Sequence, residues 1–234
     1  MKTVFITSAT VVSLTLSACA QAQSQSPASE NLQDKAAETT MAKADRPATG
    51  PQAPFKNIRT DGLEEMIIAG GCFWCTESDF EKITGVAEAV SGYTGGTLDN
   101  PTYKKVGTNR TGHYEAVKVT YDPAVVSYRQ LVDYYWKTID PTDARGQFCD
   151  KGESYRSAIF VTPEQRADAE SSLADINANK PFSADVVTKI LPAVTFYDAE
   201  SYHQDYYKRN SLRYKYYRNG CGRDKKLRQL WGEK

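Results

Sequence analysis

The run Met66-Ile67-Ile68-Ala69-Gly70-Gly71-Cys72-Phe73-Trp74-Cys75 limits what this chain can become more than any other segment. A short apolar stretch closed by two glycines reads as a buried strand ending in a tight turn, and Phe73 to Ile83 can wind as a helix. Cys72 is therefore expected at a helix N-terminus. Unpaired N–H groups and the positive end of the macrodipole there would stabilise a thiolate, bringing a thiol pKa from about 8.5 into a range of roughly 3.5 to 7.5. Cys72 and Cys75, two residues apart, could also close a disulfide or hold a metal.

Further strands are expected at Val86 to Tyr93, Tyr114 to Tyr121 and Ser157 to Val161, with shorter ones at Val186 to Ile190 and Thr195 to Tyr197. Ser127 with Gln130 forms a capping box for a helix whose Tyr128, Leu131, Val132, Tyr135 and Ile139 share one stripe. Thr162-Pro163-Glu164-Gln165 gives an N-cap, a first-turn proline and a box partner for a helix to about Ala178. Gly92, Gly95, Gly96 and Asn100-Pro101 mark a long loop without a phosphate-binding pattern. The order points to an α+β two-layer sandwich with helices over a mixed sheet.

The first sixty residues follow other rules. Lys2 precedes an apolar stretch from Val4 to Leu16 that is too short to span a bilayer and suits a secretory signal. Leu16-Ser17-Ala18-Cys19 resembles a lipobox, so residues 1–19 are expected to be a lipoprotein-type signal with Cys19 lipidated. Ala18-Cys19-Ala20 or Ala20-Gln21-Ala22 offers a competing cleavage site that would release a soluble periplasmic protein. Residues 20–60, rich in Ala, Gln, Ser, Thr and Pro, cannot bury enough apolar surface to fold and read as a linker. Residues 61–234 carry nearly all the aromatics and fall within the size of one domain.

Charge is balanced at 29 basic and 29 acidic residues, which gives no reason to expect a nucleic-acid partner. The C-terminal basic residues, Lys208, Arg209, Arg213, Lys215, Arg218, Arg223, Lys225, Lys226 and Arg228, interleave with tyrosines and read as a solvated face.

Alternation on the Tyr114 to Tyr121 strand puts Glu115 on the core side with Val117, Val119 and Tyr121, where an unpaired carboxyl would stay protonated and serve as a general acid. The alternative is a strand-end glutamate facing solvent or bonded to His113. The loop Gly146-Gln147-Phe148-Cys149-Asp150-Lys151-Gly152-Glu153-Ser154-Tyr155 places Asp150 and Tyr155 where a substrate could meet them, although each is also an ordinary turn or core residue. Setting Cys19 aside, Cys72, Cys75, Cys149 and Cys221 lack the second close pair that a Cys₄ zinc site needs, so no metal site is expected. Cys149 is expected simply to be buried.

Gly70-Gly71-Cys72-Phe73-Trp74, Gly112-His113-Tyr114-Glu115-Ala116-Val117, Asp150-x-Gly152-x-x-Tyr155-Arg156-Ser157 and Tyr202-His203-Gln204-Asp205-Tyr206 together resemble the A-type peptide methionine sulfoxide reductases, colinearly from about Glu64 to Trp231. The resemblance implies a ferredoxin-like catalytic domain that reduces methionine-(S)-sulfoxide in proteins and peptides without a bound cofactor. It implies that Cys72 attacks the sulfoxide sulfur, that Glu115 protonates the departing oxygen, and that Phe73 and Trp74 wall the substrate methyl group. Tyr103 and Tyr155 would be donors to the oxygen, and Asp150 would hold the substrate's backbone amide. Cys72 would become a sulfenic acid closed into a disulfide by Cys75 or Cys221 and recycled by a thioredoxin-like reductant.

Two rival classes use the same cysteine. A cysteine hydrolase would need His113 or His203 as base, and these are the chain's two histidines. A thiol-disulfide oxidoreductase would use Cys72 and Cys75 and have no need of Glu115.

Overall fold

The computed structural model describes residues 62–232. The expected signal, the linker and Cys19 lie outside them.

Six strands form one sheet. β1 (Glu64–Gly70), β2 (Val86–Thr94), β3 (Tyr114–Tyr121) and β6 (Ser157–Val161) make its centre, and β7 (Lys189–Pro192) and β8 (Tyr197–Asp198) its edges, in the order β7-β6-β1-β3-β2-β8. The four central strands pair antiparallel, with Ile68 opposite both Val117 and Ile159, while β7 joins β6 in parallel. The order β6-β1-β3-β2, with α1 (Phe73–Phe80) between β1 and β2 and α3 (Tyr128–Trp136) between β3 and β6, is a split βαβ arrangement of the ferredoxin-like kind. The α+β expectation holds.

One face of the sheet carries Met66, Ile68, Val117, Val119, Ile159 and Val161, buried against Phe73, Phe80, Leu131, Val132, Tyr135 and Trp136 of the helices. The other carries Ala69, Tyr114, Ala116, Ala158 and Phe160, packed by Leu191, Ala193 and Phe196. This is the period-two consequence of alternation along each strand. The α3 helix starts as expected: Ser127 accepts from the Gln130 N–H and the Gln130 side chain accepts from the Ser127 N–H.

Elsewhere the boundaries shift. The first helix ends at Phe80 rather than Ile83, because Gly85 at φ +97° turns the chain straight into β2. The Thr162 and Gln165 bonds form, but on a turn, and the regular helix α4 (Arg166–Asn179) begins only after it. The two edge strands lie further along the chain than their β-branched residues suggest, since each takes its register from a single neighbour. The short α2 (Tyr103–Val106), the hairpin of β4 (Gly146–Gln147) with β5 (Asp150–Lys151), and three C-terminal helices were not anticipated.

Those helices, α5 (Tyr206–Arg209), α6 (Ser211–Gly220) and α7 (Arg223–Trp231), correct the reading of the tail as a solvated basic face. Lys215 and Lys225 are exposed, but Arg218 ion-pairs with Asp79 at 2.9 Å and Arg223 is only 2% exposed. A guanidinium can be buried when carbonyls and carboxylates take its donors.

Candidate active site

The strand-to-helix junction is fixed from both sides. Gly71, at φ +81°, lies so close to Gln147 that a Cβ there would sit 2.5 Å from the Gln147 Cβ. Gln147 is itself immobilised, accepting from the Asp140 N–H and donating to the Asp140 carbonyl, each at 2.8 Å. The Tyr135 hydroxyl donates to the Ala69 carbonyl at 2.7 Å, and Arg223 Nη1 to the Gly70 carbonyl at 3.0 Å. Cys72 follows as the N-cap of α1.

Glu115 reaches that helix start from β3, opposite Tyr93 on β2. Its Oε2 accepts the Phe73 N–H at 3.1 Å, one residue beyond Cys72. This corrects the expectation of a thiolate on Cys72. The N–H group that was to favour the sulfur anion is already taken by a carboxyl oxygen, and Cys72 is 1% exposed. Burial pushes the Cys72 thiol well up, helped by its hydrogen bond to Cys75 and by the Cys75, Asp150 and Glu115 charges. Cys75 is drawn down chiefly by that same hydrogen bond, with the Arg223 and Arg218 charges assisting against its own burial. Both are free thiols.

Every residue of α1 is buried, including Thr76, Glu77, Ser78 and Asp79, which would be costly there without partners. Glu77 accepts from the Ser91 hydroxyl and the Asp205 N–H, each at 2.6 Å, and burial raises its pKa to about 8. Asp79 meets Arg218.

The aromatic wall is present. Phe73 lies 6.2 Å from Tyr103 and 5.9 Å from Tyr93, ring centre to ring centre. Trp74 stacks on Tyr206 at 3.7 Å, meets Tyr217 edge-on, and donates its Nε1–H to His203 Nδ1 at 3.1 Å. Tyr103 starts α2, where Glu200 accepts both its N–H at 2.9 Å and the Tyr93 hydroxyl at 2.8 Å. Tyr155 is buried at the end of a 3₁₀ turn (Glu153–Tyr155) against β3. Asp150 begins β5 and accepts the Tyr217 hydroxyl, and burial pushes its pKa up to about 6. Cys72, Phe73, Trp74, Tyr103, Glu115 and Asp150 thus converge on the start of α1.

Neither histidine serves as a base for Cys72. His203 accepts from Trp74, and burial brings its pKa down to about 3, while His113 lies between the Gly96 N–H and the Leu98 carbonyl. His113 does not bond Glu115 either, as the alternative reading of that glutamate had it. Cys149 is exposed rather than buried and forms a disulfide with Cys221 at the end of α6. Cys221 therefore sits on a pinned helix, not a flexible tail.

A sequence profile described as peptide methionine sulfoxide reductase matches residues 64–234. The chain belongs to this family. It is 56% identical over 169 residues to peptide methionine sulfoxide reductase MsrA 2 of Caulobacter vibrioides, covering 72% of this chain and 86% of that one. It is 50% identical over 172 residues to MsrA of Bacillus licheniformis, covering 73% and 95%. Among solved structures, methionine sulfoxide reductase A of Corynebacterium diphtheriae aligns with a TM-score of 0.58 at 33% identity, over 70% of this chain and 87% of that one. The chain is an oxidoreductase that reduces methionine sulfoxide through redox-active cysteine chemistry.

Within that family setting, the residues that sequence reasoning missed are Glu200, Tyr217, Arg218 and Arg223. Tyr214, Tyr217 and Arg218 recur at helical spacing, which is the signal that could have placed α6 against the site.

Proposed function

We propose that Cys72 is the thiol that reduces the sulfoxide and that Glu115 supplies the proton. The supporting observation is the Glu115 carboxyl seated on the Phe73 N–H, which sets an acid at the helix start that carries Cys72. Cys72 attacks the substrate sulfur as Glu115 protonates the oxygen, the Cys72 thiol proton passes back to the Glu115 carboxylate, the substrate S–O bond breaks with the hydroxyl passing to the Cys72 sulfur, and methionine departs from a Cys72 sulfenic acid. Cys75, already hydrogen-bonded to Cys72, then attacks the sulfenic sulfur and water leaves. The Cys72–Cys75 disulfide takes two electrons from a thioredoxin-like dithiol, so the cycle needs no bound cofactor. Cys75 takes the resolving role over Cys221 because Cys221 is engaged with Cys149.

Phe73 and Trp74 receive the methyl group, which favours aromatic contact, while the Tyr103 and Tyr155 hydroxyls meet the S=O oxygen. Asp150 accepts the substrate's backbone amide after Tyr217 withdraws. The substrates are S-epimer methionine sulfoxides in proteins and peptides. Turnover of both epimers of a short sulfoxide peptide by wild type, Cys72→Ser and Glu115→Gln tests this. Reduction of the R epimer alone, or activity surviving Cys72→Ser, would defeat it, and unchanged turnover by Glu115→Gln would favour simple thiol-disulfide exchange.

The protein is exported and held to the membrane by a lipid on Cys19, where it repairs oxidised envelope proteins. The apolar stretch Val4 to Leu16 and the Leu16-Ser17-Ala18-Cys19 sequence support this reading. Among the described residues no helix is long and apolar enough to cross a membrane. Metabolic labelling with a fatty acid should mark the wild type and spare Cys19→Ser. Absence of label leaves the soluble periplasmic form.

A further inference from the structure

Arg223 is a buried cation, 2% exposed. Its Nη1 donates to the Gly70 carbonyl at 3.0 Å and its Nη2 to the Thr138 carbonyl at 2.7 Å. Its guanidinium lies 4.6 Å over the Phe148 ring, and its Nε is 3.8 Å from Asp79 Oδ2. One side chain of α7 therefore touches the end of β1 two residues before Cys72, the loop residue two before Asp150, and the acid one turn after Cys75 on α1. Phe148 is held at φ +53°, a conformation that a non-glycine residue adopts only when its surroundings impose it. Scaffolding alone does not require a buried charge here, since an apolar side chain would fill the space at lower desolvation cost.

We propose that Arg223 is a positioning residue of the disulfide-forming step, holding Cys72 through the Gly70 carbonyl while placing its cation beside the α1 face that carries Cys75. This rests on the reading of Cys75 as the thiol that closes on Cys72. In that step the Cys75 sulfur forms a bond to the Cys72 sulfur and the S–O bond of the sulfenic acid breaks. The hydroxyl leaves as water with one added proton. A neighbouring cation lowers the cost of bringing Cys75 to the step as an anion. The groups acting on Cys75 are Cys72 and Asp79 of the same helix with its cap, Arg223 of α7, and Arg218, Tyr214 and Tyr217 of α6. Of these, Arg218 is also bound to Asp224 and Asp79, which leaves Arg223 as the cation less fully neutralised.

The test is a single turnover without reductant, following methionine release and Cys72–Cys75 closure separately, with dimedone trapping the Cys72 sulfenic acid. Arg223→Gln should slow closure about tenfold at pH 7 and move its pH midpoint up by about one unit, while methionine release falls less than about threefold. Arg223→Lys, which keeps the charge but cannot span both carbonyls and the Phe148 ring, should close slowly at the wild-type midpoint. If Arg223→Gln melts, the lysine variant decides alone, and a shifted midpoint in it overturns the proposal. Equal slowing of release and closure with an unmoved midpoint in both variants makes Arg223 a scaffold only. A Cys75→Ser control separates the premises: loss of the dimedone-reactive Cys72 sulfenic acid at the wild-type rate in it means that another thiol resolves Cys72 and Cys75 was misassigned, and Arg223's role falls with it. Stalled closure there with normal closure in Arg223→Gln condemns Arg223 alone.

Discussion

Tyr217 donates its hydroxyl to Asp150 across 67 positions of sequence, and both groups are buried. The bond fastens α6 over the loop that carries Asp150, close to Cys72. Removing it with Tyr217→Phe should cost about 1.5 to 3 kcal/mol of stability, the usual range for a hydrogen bond to a charged group. The same change frees the Asp150 acceptor, so peptide KM should fall while kcat changes less. A raised KM with unchanged stability would show that the hydroxyl serves the substrate and not the closed form.

Glu115→Gln keeps an oxygen for the Phe73 N–H but has no acid to give. Sulfoxide reduction should drop by about 10² to 10⁴ in kcat, the range expected for loss of a general acid. Thermal melting should stay within about 1 kcal/mol of wild type, because the cap persists. A variant that melts early and turns over normally would reverse both roles.

Glu77 provides a pH signature. Its folded pKa is raised from the usual carboxylate range to about 8, so the folded protein holds that proton more tightly than the unfolded chain. The resulting stability is complete below about pH 4.5 and is lost as pH rises to about 8, with a ceiling of about 5 kcal/mol at roughly 1.4 kcal/mol per unit. Glu77→Gln can accept from the Asp205 N–H and donate to Ser91, and should flatten the decline of Tm between pH 5 and 8. Equal slopes for variant and wild type would remove Glu77 from the account.

The Cys149–Cys221 bond spans 72 residues. Closing a loop of that size typically stabilises by about 2 to 4 kcal/mol. Cys149→Ser should therefore lower the denaturant midpoint while leaving one full turnover, because Cys72 and Cys75 remain. Mass spectrometry after that turnover should find Cys72 bonded to Cys75. A loss of the first turnover in Cys149→Ser would draw the outer pair into the chemistry.

The central sheet was legible because β1 and β6 carry apolar runs of the right length and β3 alternates, which even showed which face Glu115 takes. The thiol pair, the aromatic wall and Asp150 were legible as a motif set. What escaped was the state of Cys72, because Glu115 and Phe73 are 42 positions apart and no local pattern shows that this carboxyl occupies the helix start. The C-terminal helices escaped for a related reason. They are made largely of charged residues and tyrosines, and their inward faces consist of Tyr206, Tyr214, Tyr217, Arg218 and Arg223. The burial of such side chains depends on partners such as Trp74 and Asp79 that a periodicity argument cannot see.

The 1% exposure of Cys72 bears on self-preservation. A sulfur kept from solvent and holding its proton is a poor target for peroxide, the oxidant whose damage such an enzyme reverses, and so is shielded from irreversible conversion to sulfinic acid.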